Sequence, residues 1–289
     1  MRCELCPRRC GGERTAEQGG GWCGMTAGVR VAKAMLHRWE EPPVSGQNGA
    51  GTVFFSGCTL KCAYCQNGDI SAGGWGRDIS TQRLRAIFEE LIAQGAHNIE
   101  LVTPTHFLPW ILPALEPKLP VPVVYNCGGY ERVETLQALE GKVDIYLPDL
   151  KYGDGDLAAE LSSAGDYFPV ATAAIEEMYR QTGDYVIEDG LLKRGVLIRH
   201  LVLPGHLDNT RRVLDWIAKT FRPGQVLVSL MRQYTPTSNM TGVMARRVTG
   251  SEYRAAVSYI ANCGIVDGFT QEADSAQTLY TPAFDGQGV

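Results

Sequence analysis

The sequence predicts an α/β protein built on a parallel β-sheet, and two observations carry that prediction. First, short runs of β-branched residues alternate six times with longer amphipathic runs, which is the pattern of βα units. Second, a group of cysteines follows the first of these runs directly, in the segment GTVFFSGCTLKCAYCQN. Active sites of α/β barrels lie at the carboxyl ends of strands. We therefore expect a functional site at that edge of the sheet.

Residues 1–49 are predicted to form a small N-terminal module with a linker. Its first part, the N-terminal cysteine segment (residues 1–25), is rich in Cys, Gly and Arg and has no helical or strand period. Its four cysteines, Cys3, Cys6, Cys10 and Cys23, are enough to close a tetrahedral thiolate shell, which both zinc and a four-iron cluster accept. Bound metal would order a segment that cannot pack a core alone. Disulfide pairing is the alternative, and a reducing cytosol disfavours it.

The main domain is predicted over residues 50–289. Its strands are predicted at 52–55, 99–103, 121–126, 143–147, 196–203 and 226–231, and its helices at 81–94, 105–115, 132–139, 171–181, 209–219 and 251–262. Ser80, Asp208 and Thr249 are the predicted helix N-caps, because their side-chain oxygens accept hydrogen bonds from the first turn. Six βα units fit either a partial barrel or a doubly wound sheet.

Length and charge limit the classes of function. The 289 residues are 44% hydrophobic, which is enough for a large core, and the net charge is -5. A negative chain disfavours nucleic acid and acidic membranes as general partners. No apolar run approaches the ~20 residues that span a bilayer, and the first residues lack a signal-peptide pattern. We expect a cytoplasmic protein with no nucleic-acid or membrane partner.

Cys58, Cys62 and Cys65 form a C-x3-C-x2-C run, and the number three indicates an open metal site. A four-iron cluster held by three thiolates keeps one iron free for an exogenous ligand. Gly57, just before the run, removes a side chain where the backbone approaches such a cluster. The alternative is a zinc loop completed by a distant His or Cys, in a cysteine-rich interaction protein without redox chemistry.

The cysteine run, with Tyr64 before its last thiol, resembles the cluster loop of radical S-adenosylmethionine (SAM) enzymes. The runs GAHNIELVTPTHF, YNCGGYERVETL, VDIYLPDLKYGD, IRHLVLPGH and VSLMRQYTP are similar, in that order, to the iron-sulfur homologues of pyruvate formate-lyase activating enzyme. The resemblance covers nearly all of the chain. It implies the partial (β/α)6 barrel of that family, with the small Cys-rich module at its N-terminus.

The resemblance also implies the chemistry. A [4Fe-4S] cluster on Cys58, Cys62 and Cys65 would bind SAM at its fourth iron and cleave it reductively to a 5'-deoxyadenosyl radical, which abstracts hydrogen from a substrate. An electron donor such as flavodoxin or ferredoxin is implied, and the oxidoreductase is expected to be oxygen-sensitive. The substrate is either a glycine of a partner glycyl radical enzyme, or a small molecule or peptide without such a partner.

Residues that follow successive strands match the SAM pocket of that family. Asp149 and Lys151 in LPDLK match its D-x-K feature, and Asn126 and Gly128 in YNCGGY resemble its T-N-G segment. The alternatives are a surface ion pair and a turn that needs positive φ. Arg199 is the candidate for the SAM carboxylate.

Strand neighbours face opposite sides, so His200 is predicted to point away from the pocket that Arg199 faces.

After the second predicted strand the chain departs from the family. Activating enzymes carry a G-G-E-P run there, whereas this chain has Val102 to His106, in which Thr103 and Thr105 offer hydroxyl and carbonyl acceptors for the SAM amine. The departure weakens the case for glycyl radical activation. His106 is expected to face the substrate, to cap a helix or to be buried.

Three further positions complete the expectations. Gln233 and Tyr234 are placed on a substrate-facing loop, since they follow the sixth predicted strand. Cys127 and Cys263 are isolated cysteines and are expected to pack as small hydrophobic side chains.

Overall fold

The computed structural model describes residues 2–271 and 282–289. The strands are β1 (Val29–His37), β2 (Ala50–Phe55), β3 (Arg77–Ile79), β4 (Ile99–Val102), β5 (Val123–Cys127), β6 (Ile145–Pro148), β7 (Val186–Glu188), β8 (Leu191–Leu201), β9 (Leu227–Met231) and β10 (Gly268–Thr270). The helices are α1 (Pro42–Ser45), α2 (Gly68–Ser71), α3 (Thr81–Ala93), α4 (Leu108–Ala114), α5 (Val133–Gln137), α6 (Gly155–Ser162), α7 (Tyr167–Thr182), α8 (Leu207–Thr220) and α9 (Gly250–Asn262), with 3-10 turns at Thr105–Phe107 and Gly242–Ala245.

The strands form one open sheet in the order β10-β9-β8-β6-β5-β4-β2-β1-β3, with β7 paired to β8. From β2 to β10 the neighbours along this path are parallel, whereas β1 pairs antiparallel with β2 and with β3. The parallel strands follow chain order without reversal. Because parallel crossovers are right-handed, such an order places the helices on one face and curves the sheet into a partial barrel. This confirms the predicted fold, since a doubly wound sheet would require a reversal.

All six predicted strands and all six predicted helices are present, with ends that differ by a few residues. The helix predicted over 105–115 begins as a 3-10 turn and becomes α4 only at Leu108. Ser80 and Thr249 cap their helices as predicted, accepting from the backbone N–H of Arg83 and Glu252. The prediction for Asp208 is wrong. Helix α8 begins at Leu207, so Asp208 lies in its first turn, where a carboxylate favours the positive end of the helix dipole.

Elements outside the prediction extend the sheet at its edges. β1 lies within residues 1–49 and forms a long antiparallel pair with β2, so the predicted module and the main domain share the sheet. The domain boundary at residue 49 stays a prediction. In the described part of the chain, no helix combines the length and the apolar character needed to cross a membrane.

Side chains on the inner face of the curved sheet are apolar at one level and polar at the next. The apolar level is formed by Val124, Ile145, Leu147, Leu197 and Leu227 with Val44 of α1. Two residues further along their strands, on the same face, come Asn126, Asp149 and Arg199. The apolar level therefore forms a floor, and the polar level lies above it towards the carboxyl edge of the strands.

Candidate cluster and cofactor site

A cavity opens at the carboxyl edge of the parallel strands. It is lined by residues that follow β2, β4, β5, β6, β8 and β9, which include Cys58, Cys62, Cys65, Thr103, Asn126, Gly128, Asp149, Lys151, Arg199, Gln233 and Tyr234. The fold thus brings together the three cysteines and most of the side chains that the sequence singled out. Thr105 and His106 are the predicted site residues that it does not bring to this cavity.

Each sulfur atom of the three-thiol loop (residues 56–66) accepts a hydrogen bond from a neighbouring group. Cys58 accepts from the N–H of Leu60 at 3.3 Å, Cys62 from the hydroxyl of Ser162 at 3.0 Å, and Cys65 from the hydroxyl of Ser71 at 3.3 Å. Hydrogen bonds to sulfur are a main means by which proteins tune thiolate-bound clusters. The loop and helices α2 and α6 therefore provide hydrogen-bond donors to the three thiols.

The acidity of these thiols fits a site that receives a cationic group. Burial, with the nearby Cys62, raises the pKa of Cys58 to about 12. Burial and Cys62 also raise the pKa of Cys65. Three thiolates this close repel one another in a poorly solvated pocket, and a bound iron-sulfur or metal cation removes that cost by replacing the protons. All three cysteines are free of disulfides. In residues 2–271 and 282–289, no set of three His, Cys, Asp or Glu residues has an arrangement that could hold a single metal ion.

A tyrosine pair fastens the three-thiol loop to helix α6. Tyr152 donates to the hydroxyl of Tyr64 at 2.9 Å and shares a 2.7 Å hydrogen bond with Ser162. The N–H of Ala63 also donates to the carbonyl of Leu161 at 2.8 Å. Because Ser162 itself donates to Cys62, the end of α6 and the middle of the loop form one hydrogen-bonded unit.

Arg199 is the centre of a polar layer on the inner face of the sheet. Its guanidinium donates to Asp149 at 2.9 Å, to Glu40 at 2.8 Å and to the amide oxygen of Asn126 at 2.7 Å. Lys151 donates to the other oxygen of Asp149. We use "polar layer" for Glu40, Glu100, Asn126, Asp149, Lys151 and Arg199.

The charges of the polar layer support one another. Burial alone would raise the pKa of Asp149, but Arg199 and Lys151 hold it below its usual value. Burial alone would lower the pKa of Lys151, and Asp149 raises it instead. The ion pair is buried, in contrast to the surface ion pair that the sequence left open.

His200 points away from the cavity, as the alternation of strand side chains predicts. Its Nδ1 lies 2.7 Å from the carbonyl of Leu150 and its Nε2 lies 3.0 Å from the hydroxyl of Thr210 on α8. Burial lowers the pKa of His200 from 6.5 to about 4, so the ring is neutral at pH 7. His200 is a structural link between β8 and α8.

Two acidic members of the polar layer were missed by the sequence reasoning. Glu100 accepts from the amide of Asn126 at 2.7 Å and from the hydroxyl of Thr52 at 2.6 Å. Burial and the nearby Glu40 raise the pKa of Glu100 to about 8. The signal that could have identified Glu100 is its place as a charged residue in the middle of the apolar strand NIELV. Glu40 follows β1, a strand that the sequence did not predict.

The turn after β5 needs its glycines for shape and also lines the cavity. Gly129 has φ +76, and a Cβ there would lie 2.1 Å from the carbonyl oxygen of Asp149. A Cβ on Gly128 would lie 2.8 Å from Leu60 of the three-thiol loop. The turn therefore requires positive φ at Gly129, and at Gly128 its backbone lies close to the three-thiol loop.

The segment that departs from the G-G-E-P pattern is divided between the cavity and the core. Thr103 lines the cavity in a left-handed conformation, φ +59, and its N–H donates to the carbonyl of Asn126 at 2.8 Å. Thr105 is buried, and its hydroxyl donates to Glu131 at 2.7 Å. His106 is also buried, with Nε2 2.7 Å from the carbonyl of Ser56, and burial lowers its pKa to about 4. Of the three expectations for His106, the buried one is confirmed.

The N-terminal cysteines form a second group of neighbouring thiols. Cys3, Cys6 and Cys23 are buried, and Cys10 is exposed. Burial raises the pKa of Cys6 to about 12, and the nearby Glu131, Cys3 and Cys10 add to the rise. Burial also raises the pKa of Cys23, again with contributions from Cys3 and Cys10. Burial alone would raise the pKa of Cys10, but backbone N–H groups of Trp22 and Gly12 lower it. Closely spaced thiols with N–H donors fit a thiolate-bound iron-sulfur cluster.

The two isolated cysteines belong to neither group of thiols, although Cys127 also lines the cavity. Cys127 is buried and packs in the main core, as expected, and burial raises its pKa well above the usual value. Cys263 is partly buried at the end of α9, and its side chain packs against the core as expected. It packs against the edge of the core beside Asp215.

Comparisons with known proteins agree with this architecture. The family model described as "Radical SAM superfamily" matches residues 52–217. An uncharacterized protein of Methanocaldococcus jannaschii is 32% identical over 244 residues, which are 81% of this chain and 66% of that protein. The chain thus spans just under two thirds of that relative.

Solved structures share the fold at low sequence identity. SuiB of Streptococcus suis bound to S-adenosylmethionine has a TM-score of 0.52 at 14% identity, covering 76% of this chain and 49% of SuiB. The FeFe-hydrogenase maturase HydG from Carboxydothermus hydrogenoformans has a TM-score of 0.52 at 14% identity, covering 80% of this chain and 56% of HydG. The family match spans more than half of the chain and includes the three-thiol loop and strands β4, β5, β6 and β8 at the cavity. The chain therefore belongs to the radical SAM superfamily, whose enzymes use an iron-sulfur cluster and SAM.

Proposed function

We propose that this chain binds a [4Fe-4S] cluster through Cys58, Cys62 and Cys65 and cleaves SAM reductively. The observation that carries the proposal is the lining of one cavity by all three thiols together with Asp149 and Arg199. Three thiolates leave one iron of such a cluster open for SAM. When bound, the cluster and SAM together supply a 5'-deoxyadenosyl radical that abstracts hydrogen from a substrate.

The polar layer would orient SAM above the apolar floor. Asp149 would accept hydrogen bonds from ribose hydroxyls or an ammonium group, and Lys151 would neutralise a carboxylate. Among the described residues, Arg199 donates three of its five guanidinium N–H groups to other members of the polar layer, which leaves two for the SAM carboxylate. The main-chain groups of Thr103, Asn126 and Gly128 complete the proposed pocket.

A spectroscopic experiment tests the binding step. Anaerobically reconstituted protein should be brown, and the electron paramagnetic resonance (EPR) spectrum of its reduced form should change when SAM is added. The Cys62→Ala variant should lose the response to SAM. A colourless zinc protein without a SAM response would end the enzymatic interpretation and favour a metal-binding interaction protein.

For the substrate, we infer either a glycine of a partner glycyl radical enzyme or a peptide or small molecule without such a partner. The absence of G-G-E-P at Val102 to His106 counts against the first, and SuiB, which has been solved with its precursor peptide SuiA, illustrates the second on a related fold. A persistent glycyl radical on a partner after anaerobic incubation would support the first. Turnover of a substrate with stoichiometric deoxyadenosine release would support the second. A flavodoxin or ferredoxin is the proposed reductant.

For the N-terminal cysteines, we propose a second metal site with Cys3, Cys6, Cys10 and Cys23 as ligands. Gly21 supports the close approach of the chain, because a Cβ there would lie 2.5 Å from the sulfur of Cys10. Zinc and a second [4Fe-4S] cluster both accept four thiolates. Iron and zinc contents, measured before and after replacement of these four cysteines by Ala, distinguish the two metals. An unchanged metal content would contradict the site.

A further inference from the structure

One arginine connects the N-terminal cysteines to the three-thiol loop. Nε of Arg8 donates to the carbonyl of Thr59 at 2.8 Å, and Nη2 donates to the carbonyl of Ser162 at 2.6 Å. Nη1 donates to the carbonyl of Ser163. Thr59 follows Cys58 directly, so this side chain binds both the start of the three-thiol loop and the end of α6.

One of the residues that Arg8 binds, Ser162, also holds a thiol of the three-thiol loop. Ser162 donates its hydroxyl to Cys62 at 3.0 Å, and Ser163 ends helix α6 in a left-handed conformation, φ +51. The last carbonyls of a helix lack partners within the helix and carry its negative end. A guanidinium at this position satisfies two of them and a loop carbonyl at once, which a single ammonium group cannot do with the same geometry.

The position of Arg8 depends in turn on the N-terminal cysteines. Arg8 lies between Cys6 and Cys10 in the chain, and its own N–H is hydrogen-bonded to the sulfur of Cys6. Its guanidinium lies 4.0 Å from the ring centre of Trp22, the residue before Cys23, and 5.2 Å from that of Tyr130. A metal on the four thiols would therefore fix both the backbone of Arg8 and one of the rings against which it stacks.

We propose that Arg8 is a positioning residue through which metal at the N-terminal cysteines sets the geometry of the three-thiol loop. The inference rests on the proposed function of that loop as the holder of a SAM-binding cluster. With the N-terminal site loaded, Arg8 holds Thr59 and Ser162, and the spacing of Cys58 and Cys62 is fixed. Without metal there, Arg8 loses its anchors, and the loop holds its cluster less tightly.

The test compares Arg8→Gln and Arg8→Lys with the matched control Arg9→Gln, which removes a charge from the exposed neighbour. The readouts on anaerobically reconstituted protein are the SAM-induced change in the EPR spectrum and the rate of iron loss to a chelator. SAM reports on the three-thiol cluster alone, because a four-thiolate site has no open position. We expect Arg8→Gln to speed iron loss by about tenfold, the factor for losing one charge-assisted hydrogen bond, and to weaken the SAM-induced change. Arg8→Lys should give an intermediate effect, and Arg9→Gln should match the wild type.

A double-mutant comparison tests the coupling itself. The pair Cys10→Ala and Cys23→Ala removes ligands of the N-terminal site and should reproduce the effect of Arg8→Gln on the SAM response. Adding Arg8→Gln to that pair should then cause little further change. Equal behaviour of Arg8→Gln and Arg9→Gln would overturn the inference while leaving the proposed function intact. The same holds if the effect of Arg8→Gln simply adds to that of the two cysteine replacements. If Arg8→Gln does not fold, the same comparison is made with Arg8→Lys. A wild-type protein without a SAM-responsive cluster would overturn both.

Discussion

Arg199 shows how one residue organises the centre of the site. It lies on β8 with its side chain 12% exposed and holds two carboxylates and one amide. A buried cation between two buried carboxylates supports all three charges, since removal of one member leaves the others without compensation in a medium of low dielectric constant. The stability of the polar layer and the proposed binding of SAM therefore depend on the same guanidinium.

The first prediction concerns Arg199. Arg199→Met should lower the free energy of unfolding by about 3–5 kcal/mol, because it leaves Asp149 and Glu40 buried with one cation fewer. Arg194→Met, at an exposed position of the same strand, should change it by no more than about 0.5 kcal/mol. Urea unfolding of both variants under anaerobic conditions measures the difference. Equal stabilities would contradict the assigned role of the layer.

The second prediction concerns the pH dependence of His200. The unfolded chain binds a proton at this ring near its ordinary pKa of 6.5, whereas the folded chain does so only at about 4. Stability from the neutral ring is thus fully present above pH 6.5 and is lost as the pH falls towards 4. Between pH 7 and pH 5 this ring alone should lower the free energy of unfolding by about 2 kcal/mol.

The measurement compares urea unfolding of wild type and His200→Gln at the two pH values. The variant should lose less stability on acidification, since only His106 and other groups remain to titrate. The same loss in both proteins would show that His200 is not buried as a neutral ring.

At the level of elements, the periodic segments could be predicted from the sequence, whereas the strands at the edges of the sheet could not. The six central strands and their helices follow from runs such as VVYN and from amphipathic spacing, which reflect burial on a sheet. β3, β7 and β10 are three residues each, and a run that short has no periodicity to detect. β1 was not predicted, because its pairing with β2 is a long-range contact.

The site was predictable to the extent that its residues follow predicted strands. Asp149 follows such a strand, and Asn126 and Arg199 lie towards the carboxyl ends of theirs. The three meet because parallel strands bring their carboxyl ends to one edge. Thr105 follows β4 as well, yet the 3-10 turn that begins there carries it into the core beside Glu131. Glu40 joins the layer through the fold of β1, which local sequence patterns do not encode.

The third prediction tests the turn that joins β5 to α5. Gly129→Ala should destabilise the protein more than Gly141→Ala, although both glycines have φ +76. A left-handed Ala costs about 1–2 kcal/mol in either turn. At Gly129 the new Cβ also meets the carbonyl of Asp149, whereas nothing lies within 4 Å at Gly141. Thermal unfolding gives the comparison, and equal costs would mean that the approach to Asp149 is looser than the structure has it.

At the level of the whole molecule, the order of the strands produces the cavity at the carboxyl edge of the sheet. The chain order β2 to β10 curves the sheet around an apolar floor, and the three-thiol loop leaves β2 at the same edge where the polar layer lies. The N-terminal cysteine segment is held against this edge through Arg8 and through Thr135, whose hydroxyl donates to the carbonyl of Leu5 at 2.7 Å. The fold thus places both groups of thiols near the carboxyl edge of the parallel strands.

The central claim is that Cys58, Cys62 and Cys65 hold the cluster that cleaves SAM. The most direct measurement is the yield of 5'-deoxyadenosine from SAM and dithionite under anaerobic conditions, with wild type, Cys62→Ala and the control Cys263→Ala, a cysteine distant from the cavity lining. The account predicts cleavage by wild type and by Cys263→Ala, and none by Cys62→Ala even when the N-terminal site keeps its metal. Undiminished cleavage by Cys62→Ala, or no cleavage by iron-loaded wild type, would contradict it.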